Sequence, residues 1–287
     1  MVWLNILVQG ALLGGLYALF AVGLSLSFGI MRLVNIAHGD LIVLAAYVAL
    51  VTINATGLYS IATLVVVVPV MFALGYVLQR FLLNFTLSGG LLPPLLVTFG
   101  ISVIIENLLL QVFGASTYRL QAGAIETASL ALNGLYIGAY PLLVFATALA
   151  SIAALQLLFY RTSIGRAFRA TSDDADTAEL MGIDNRHLYA VAMAIAMVFV
   201  ALAGVLMAIR TTFDPAAGPI RLIFAFEAVI IGGLGSLWGT LLGGMVLGVA
   251  QAVGAALSPN WEILAGHLAF LVLLLVRPSG FFPHTRD

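Results

Sequence analysis

Asn35, His38 and Asp40 fall within six residues of one another, in Arg-Leu-Val-Asn-Ile-Ala-His-Gly-Asp over 32–40, and long apolar runs flank them on both sides. An amide, an imidazole and a carboxylate so placed can exchange hydrogen bonds with a small polar solute. They can equally serve a helix start, because Asp40 and Asn35 side chains can accept from the free amides of a helix beginning at Leu41. The small residues of the break suit a discontinuous helix at membrane depth, where unwound backbone faces a solute. Capping and solute lining both remain open for this group.

Glu106 and Glu227 stand inside apolar runs, where a carboxylate is expensive and must face a bundle interior or water. Each reads either as a structural hydrogen-bonding group or as part of a solute or proton path. Beyond Glu227 comes Gly232-Gly233-Leu234-Gly235-Ser236. A phosphate cradle of this kind needs a lysine, and the chain has none. The segment therefore reads as a helix break with close packing. Ser236, which directly follows Gly235, would with the distant His267 be the minimum for an intramembrane serine protease, but a serine beside a glycine is common in a chain with 29 glycines. His267 has no partners at metal-ligand spacing, so it reads as an interior hydrogen-bonded histidine and no metal site is expected.

A third group lies in the polar loop 161–186, with Arg161, Arg166 and Arg169 at one end and Asp173, Asp174, Asp176 and Glu179 at the other. Good helix formers dominate it, Gly182 can end the element, and Ala167, Ala170, Ala175 and Ala178 give it a small-residue surface. It is either a solvated loop or a helix that an energy-coupling subunit grips.

Lipid is the solvent that positions these groups. Hydrophobic residues make up 63% of the chain and charged ones 8%, with a mean hydropathy of +1.16, whereas soluble domains carry about 25% charged residues. Apolar runs such as 61–78 and 188–209 have the length of membrane helices and not the alternation of a barrel. The expected fold is an all-α polytopic transmembrane bundle of about eight or nine spans with broken helices, one membrane domain over 1–287. Spans are predicted near 8–29, 38–54, 60–80, 93–113, 135–160, 187–209, 221–234, 236–257 and 261–276. The stretch 221–234 is short for a bilayer and reads as tilted, broken or re-entrant.

Cysteine is absent and all 11 basic side chains are arginine, which excludes disulfides, thiol chemistry and a Schiff base. A net charge of −1 leaves no basic face for nucleic acid. The first residues lack the basic region of a cleaved signal, so the first run is expected to stay as a helix, with Trp3 an interfacial anchor. If the arginine-rich loop 161–186 is cytoplasmic, counting spans puts Arg32, Arg80, Arg277 and Arg286 inside as well. Arg119, Arg210 and Arg221 then lie outside, the N-terminus is external and the C-terminus cytoplasmic. Gly10-Ala-Leu-Leu-Gly14-Gly15 and Gly239-Thr-Leu-Leu-Gly243-Gly244 repeat one pattern. Glycines four apart let helices approach closely, so the echo is either two packing seams or the remnant of a repeated half.

The stretch 23–40, Gly-Leu-Ser-Leu-Ser-Phe-Gly-Ile-Met-Arg-Leu-Val-Asn-Ile-Ala-His-Gly-Asp, resembles the signature of LivH-type permeases, membrane subunits of branched-chain amino acid ABC importers. Gly-Arg-Ala-Phe-Arg-Ala over 165–170, Ala-Glu-Leu-Met-Gly-Ile over 178–183, Ile-Gly-Gly-Leu-Gly-Ser-Leu-Trp-Gly over 231–239 and Val-Arg-Pro-Ser-Gly-Phe over 276–281 match in the same order. The resemblance spans nearly the whole chain. It implies a second permease subunit (a related chain or a second copy), two cytoplasmic ATPases carrying the ATP and Mg, and an extracytoplasmic solute-binding protein. No cofactor is implied on this chain, which would reside in a bacterial-type cytoplasmic membrane. By motif position, 165–183 would be the coupling helix that docks on an ATPase, and Asn35, His38 and Asp40 would lie along the translocation path. The family also carries urea, short amides and carboxylic acids. A proton-coupled carrier using Glu106 or Glu227 and a passive channel are the rival readings.

Overall fold

The computed structural model describes residues 1–87, 90, 92–132 and 134–282. Arg286, counted above among the inside arginines, lies outside the described residues. The helices are α1 (Val2–Met31), α2 (His38–Thr56), α3 (Leu64–Phe81), α4 (Leu92–Phe113), α5 (Ala139–Arg161), α6 (Ser163–Asp173), α7 (Ala175–Leu180), α8 (Asn185–Arg210), α9 (Gly218–Gly232), α10 (Leu237–Leu257) and α11 (Glu262–Val276). A small antiparallel hairpin, β1 (Ser129–Leu132) and β2 (Leu135–Gly138), precedes α5. Among the described residues, nine helical segments are long and apolar enough to cross a membrane. The expected helical bundle is therefore the observed one, with the spans close to their predicted places. The hairpin corrects the sequence reading, which leaves 129–132 unassigned and places 135–138 at the start of the span 135–160.

Two helices form the centre. In their most apolar windows, α1 and α8 are each 83% buried, against 11% for α4 and 6% for α11. The reason is side-chain size: α8 buries Ala190, Ala192, Ala194, Ala196, Ala201 and Ala203, so other helices pack close to its axis. The echoed glycines divide by partner. A Cβ on Gly14 would run into the backbone of Gly244 and Met245, and one on Gly10 into Val249, so these two residues seat α1 on α10. Gly239 and Gly243 turn the other way, against Gly232 and Ala228 of α9. Here the repeated pattern acts as packing seams on both faces of α10.

This seam is testable. Gly14→Leu is expected to cost about 3 kcal/mol, because backbone meets backbone there and neither helix can yield. Gly100 has open space where its side chain would be, so Gly100→Leu is expected to stay within about 0.5 kcal/mol. Thermal unfolding in detergent compares the two. Equal midpoints would contradict the seam.

The chain ends and loops sort to two faces. On one, Ser172 Oγ donates to Gly29 O at 2.7 Å, Asn84 Nδ2 to Arg186 O at 2.9 Å and Phe281 N to Ile231 O at 2.9 Å. On the other, Asn5 Nδ2 donates to Gly134 O at 3.0 Å and Arg119 Nε to Ile209 O at 3.1 Å. Arg221 differs from its predicted place outside, at the first residue of the span 221–234. It is half-buried in the first turns of α9, with Nε 3.1 Å from Met207 Sδ, because that helix begins inside the bundle.

Candidate solute path and coupling surface

After α1 the chain turns back into the bundle. Arg32 ends the helix in the left-handed region (φ 51°, ψ 29°), the one described residue other than glycine to do so. A short non-helical segment follows, held where Ile36 N donates to Thr98 Oγ1 at 3.2 Å and Ala37 N to Asn35 Oδ1 at 3.1 Å. The His38 Nε2 atom then lies 2.7 Å from Phe20 O. Phe20 is 11 residues short of the end of α1, about 16 Å along its axis, so α2 starts deep in the bundle. The observed start is His38, anchored to α1 through its ring, with Ala37 at the cap position and no side-chain cap. The predicted span 38–54 agrees with this start, whereas the capping alternative, Asp40 and Asn35 ahead of a helix from Leu41, does not.

A second break meets the first. From the end of α8 the chain doubles back through Phe213, which packs edge-on to Tyr47 at 5.1 Å, and a 3₁₀ turn Pro215–Ala217. α9 then begins at Gly218, hard against the first turn of α2. A Cβ on Gly39 would overlap Gly218 O, and one on Gly218 would overlap the Asp40 carboxylate. Two helix N-termini thus meet inside the bundle, one leading to each face, and each carries a partial positive charge. Asp40 lies between them, 2% exposed. Its Oδ2 accepts from Ser102 Oγ at 2.5 Å, while Oδ1 has no hydrogen-bond partner.

α4 adds two residues, Thr98 and Ser102, that the sequence does not single out, beside the predicted Glu106. Thr98 holds the broken segment, Ser102 holds Asp40, and Glu106 follows at the same spacing, close enough to act on Asp40 through its charge. Positions four apart share a helix face. Thr98-x-x-x-Ser102-x-x-x-Glu106 in an otherwise apolar helix was the available signal. Below Thr98, a cavity of about 320 Å³ opens between the end of α1 and the start of α4, lined by Phe28, Met31, Arg32, Leu87, Pro94 and Leu95 among others.

The other predicted carboxylate is separate. Glu227, 4% exposed, lies about 13 Å further along α9 than Gly218. Its Oε1 is 2.5 Å from His267 Nδ1, and Phe224 stacks on that ring at 6.1 Å. Ser236 does not engage His267: its Oγ caps α10, accepting from Gly239 N at 3.1 Å. Between α9 and α10, Gly233 (φ 101°) and Gly235 (φ 82°) take backbone conformations that side chains resist, and Gly232 rests on Gly239. Among the described residues no group of three or more His, Asp or Glu side chains is placed to hold a metal ion.

The loop 161–186 folds as two short helices. Thr162 caps α6 by accepting from Gly165 N at 3.0 Å, and Asp174 caps α7 by accepting from Thr177 N at 3.1 Å and Thr177 Oγ1 at 2.6 Å. Those bonds hold the Asp174 carboxyl below its usual range. Asp184 caps α8 through His187 N at 3.0 Å, with the same effect. The predicted docking residues divide. Arg166, Arg169, Ala170 and Gly182 are exposed, and Ala167 and Ile183 are half-buried. Gly165 and Ala178 are buried, which corrects their assignment to a docking face. A Cβ on Gly165 would strike the carbonyls of Leu158 and Phe159, so this glycine seats α6 on α5. Leu180 and Met181, within the motif 178–183 but not among the individual docking residues expected from it, stand 87% and 80% exposed.

A multi-pass helical bundle with two unwound breaks meeting over an enclosed carboxylate, and a cap of short helices on one face, is the build of a membrane transport subunit. The family described as branched-chain amino acid transport system / permease component matches residues 6–277, and the chain belongs to it. BraD of Pseudomonas aeruginosa, a high-affinity branched-chain amino acid transport system permease protein, is 30% identical over 292 residues, covering 97% of this chain and 95% of BraD. LivH of Escherichia coli K12, described in the same words, is 27% identical over 290 residues, covering 95% and 92%. LivM of the same strain, a further permease protein of that system, matches over 131 residues at 29% identity, covering 44% of this chain and 30% of LivM. The protein is a permease subunit of a transport system, as its motifs implied. The carrier and channel readings gain no support from these relatives.

Proposed function

We propose that this chain is one permease half of an ATP-driven importer for branched-chain amino acids or a related small polar solute. The observation that carries the reading is the meeting of α2 and α9 over Asp40 in a chain related end to end to branched-chain amino acid permeases. Its partners are a second permease, in line with the similarity to both LivH-type and LivM-type chains, two ATPases and an extracytoplasmic binding protein. ATP and Mg belong to the ATPases. The face bearing α6 and α7 is cytoplasmic, where seven of the described arginines gather (Arg32, Arg80, Arg161, Arg166, Arg169, Arg186 and Arg277).

In this reading, ATPase closure moves α6 and α7, and α6 passes the motion to α1 through the Ser172–Gly29 bond and to α5 through Gly165. The bundle shifts between outward and inward openings only by the free energy that separates its two states. The N-termini of α2 and α9 offer amides to a solute carboxylate, and Asp40 offers an acceptor to its ammonium group.

Reconstitution of the complex in proteoliposomes tests the proposal, with uptake of leucine, isoleucine and valine followed with and without ATP. Uptake is expected to require ATP and the binding protein. Uptake driven by a proton gradient alone, or conductance without ATP, would overturn it. Reversing charge at Arg166 and Arg169 to Glu is expected to weaken ATPase retention about tenfold, most at low salt, with the unfolding midpoint unchanged.

A further inference from the structure

We propose that the cavity at the cytoplasmic end of α1 and α4 receives the solute on its way out, and that Arg32 binds the carboxylate of an apolar amino acid there. The inference rests on the importer reading and deepens it.

Its volume of about 320 Å³ lies at the small end of ligand sites, about 300–1,000 Å³. The lining has two chemistries: Phe28, Met31, Pro94 and Leu95 are apolar, and Arg32 is a guanidinium. That combination suits a solute with a branched apolar side chain and a carboxylate, and it suits urea or a short amide poorly. Among the described residues Arg32 takes part in no ion pair or side-chain hydrogen bond, so its donors are free for a ligand. A guanidinium binds a carboxylate through two parallel hydrogen bonds. The backbone supports the assignment. A bulky side chain in the left-handed region is uncommon, and such conformations persist where the surrounding fold demands them. The position is also in line with the candidate path: Pro94, Thr98, Ser102 and Glu106 succeed one another at four-residue spacing, leading from the cavity past the Ile36–Thr98 bond to Asp40.

An arginine near a membrane surface can also hold the headgroup of an anionic lipid, which phosphatidylcholine vesicles lack, and the test separates the two. In the reconstituted complex, Arg32→Gln is expected to cut ATP-driven leucine uptake about tenfold, and Arg32→Lys by less, since it keeps the charge. Arg32→Gly, which suits the left-handed backbone and removes the charge, is expected to match Arg32→Gln. Co-purification of the partner subunits checks assembly for each variant. Wild-type leucine uptake with Arg32→Gln unimpaired overturns this assignment alone. So does normal uptake by Arg32→Gly, which would trace the Gln defect to the backbone. A Gln defect that vanishes in vesicles of phosphatidylcholine alone makes the site a lipid site and overturns the assignment too. A wild-type complex that imports urea or an amide but no amino acid overturns the substrate reading, and this assignment with it.

Discussion

Asp40→Asn is expected to abolish ATP-driven uptake, by a factor of 100 or more, while leaving a folded and assembled permease. The amide has the size of the carboxylate and can still accept from Ser102, so packing against Gly218 is preserved. The negative charge between two helix N-termini is lost. Each such contact contributes up to about 2 kcal/mol when partly buried, so the pair accounts for about 3 kcal/mol of the balance between open and closed arrangements. At 1.4 kcal/mol per factor of ten, that is about 100-fold. The amide also turns a donor toward helix N-termini that offer only donors. Ser102→Ala tests the same locus more gently, removing one bond to a charged group at about 1.5–3 kcal/mol. Uptake, ATPase activity and the unfolding midpoint should be measured together. Full uptake with Asp40→Asn would show that the carboxylate only fills space.

How far this locus can be read from sequence depends on the kind of information each residue carries. Asn35, His38 and Asp40 stand out because polar groups among apolar runs need a reason, and the break they mark is real. The depth of the break is a different matter. It follows from the reach of His38 to the carbonyl of Phe20 and from Gly39 meeting Gly218, contacts between residues far apart in the chain. Thr98 and Ser102 pass unnoticed for a local reason: a hydroxyl in an apolar helix can bond its own backbone, as Thr98 Oγ1 does to Pro94 O at 2.9 Å. Only their spacing with Glu106 distinguishes them. Gly165 was misread because a motif glycine serves equally for docking and for packing, and the carbonyls of Leu158 and Phe159 decide which. The hairpin before α5 has four-residue strands, too short for alternation to identify.

The second large effect concerns the face proposed to grip the ATPase. Leu180 and Met181 end α7 in a polar loop, nearly fully exposed, and a pair of large apolar side chains there is stable in water only at a cost that a partner's groove removes. Burying each is worth about 1.5–3 kcal/mol, so together they contribute about 4 kcal/mol, close to 1,000-fold in affinity. Leu180→Asp combined with Met181→Asp is therefore expected to release the ATPase subunits at every ionic strength. This separates apolar anchors from rim charges: exposed ion pairs give at most about 1 kcal/mol and fade with salt, so the reversal at Arg166 and Arg169 should matter least at high salt. The packed side of the loop, where Phe168 lies against Phe159 and Thr171 bonds Asn185 at 3.1 Å, is untouched by either substitution, and the reversal gives up only the exposed contact of Arg169 over the Tyr160 ring at 5.0 Å, so the bundle should unfold close to its usual temperature. Co-purification across a salt series reads both effects. Retention of the ATPases by the double aspartate variant, with uptake still coupled to ATP, would place the anchor elsewhere and leave α7 as a solvated cap.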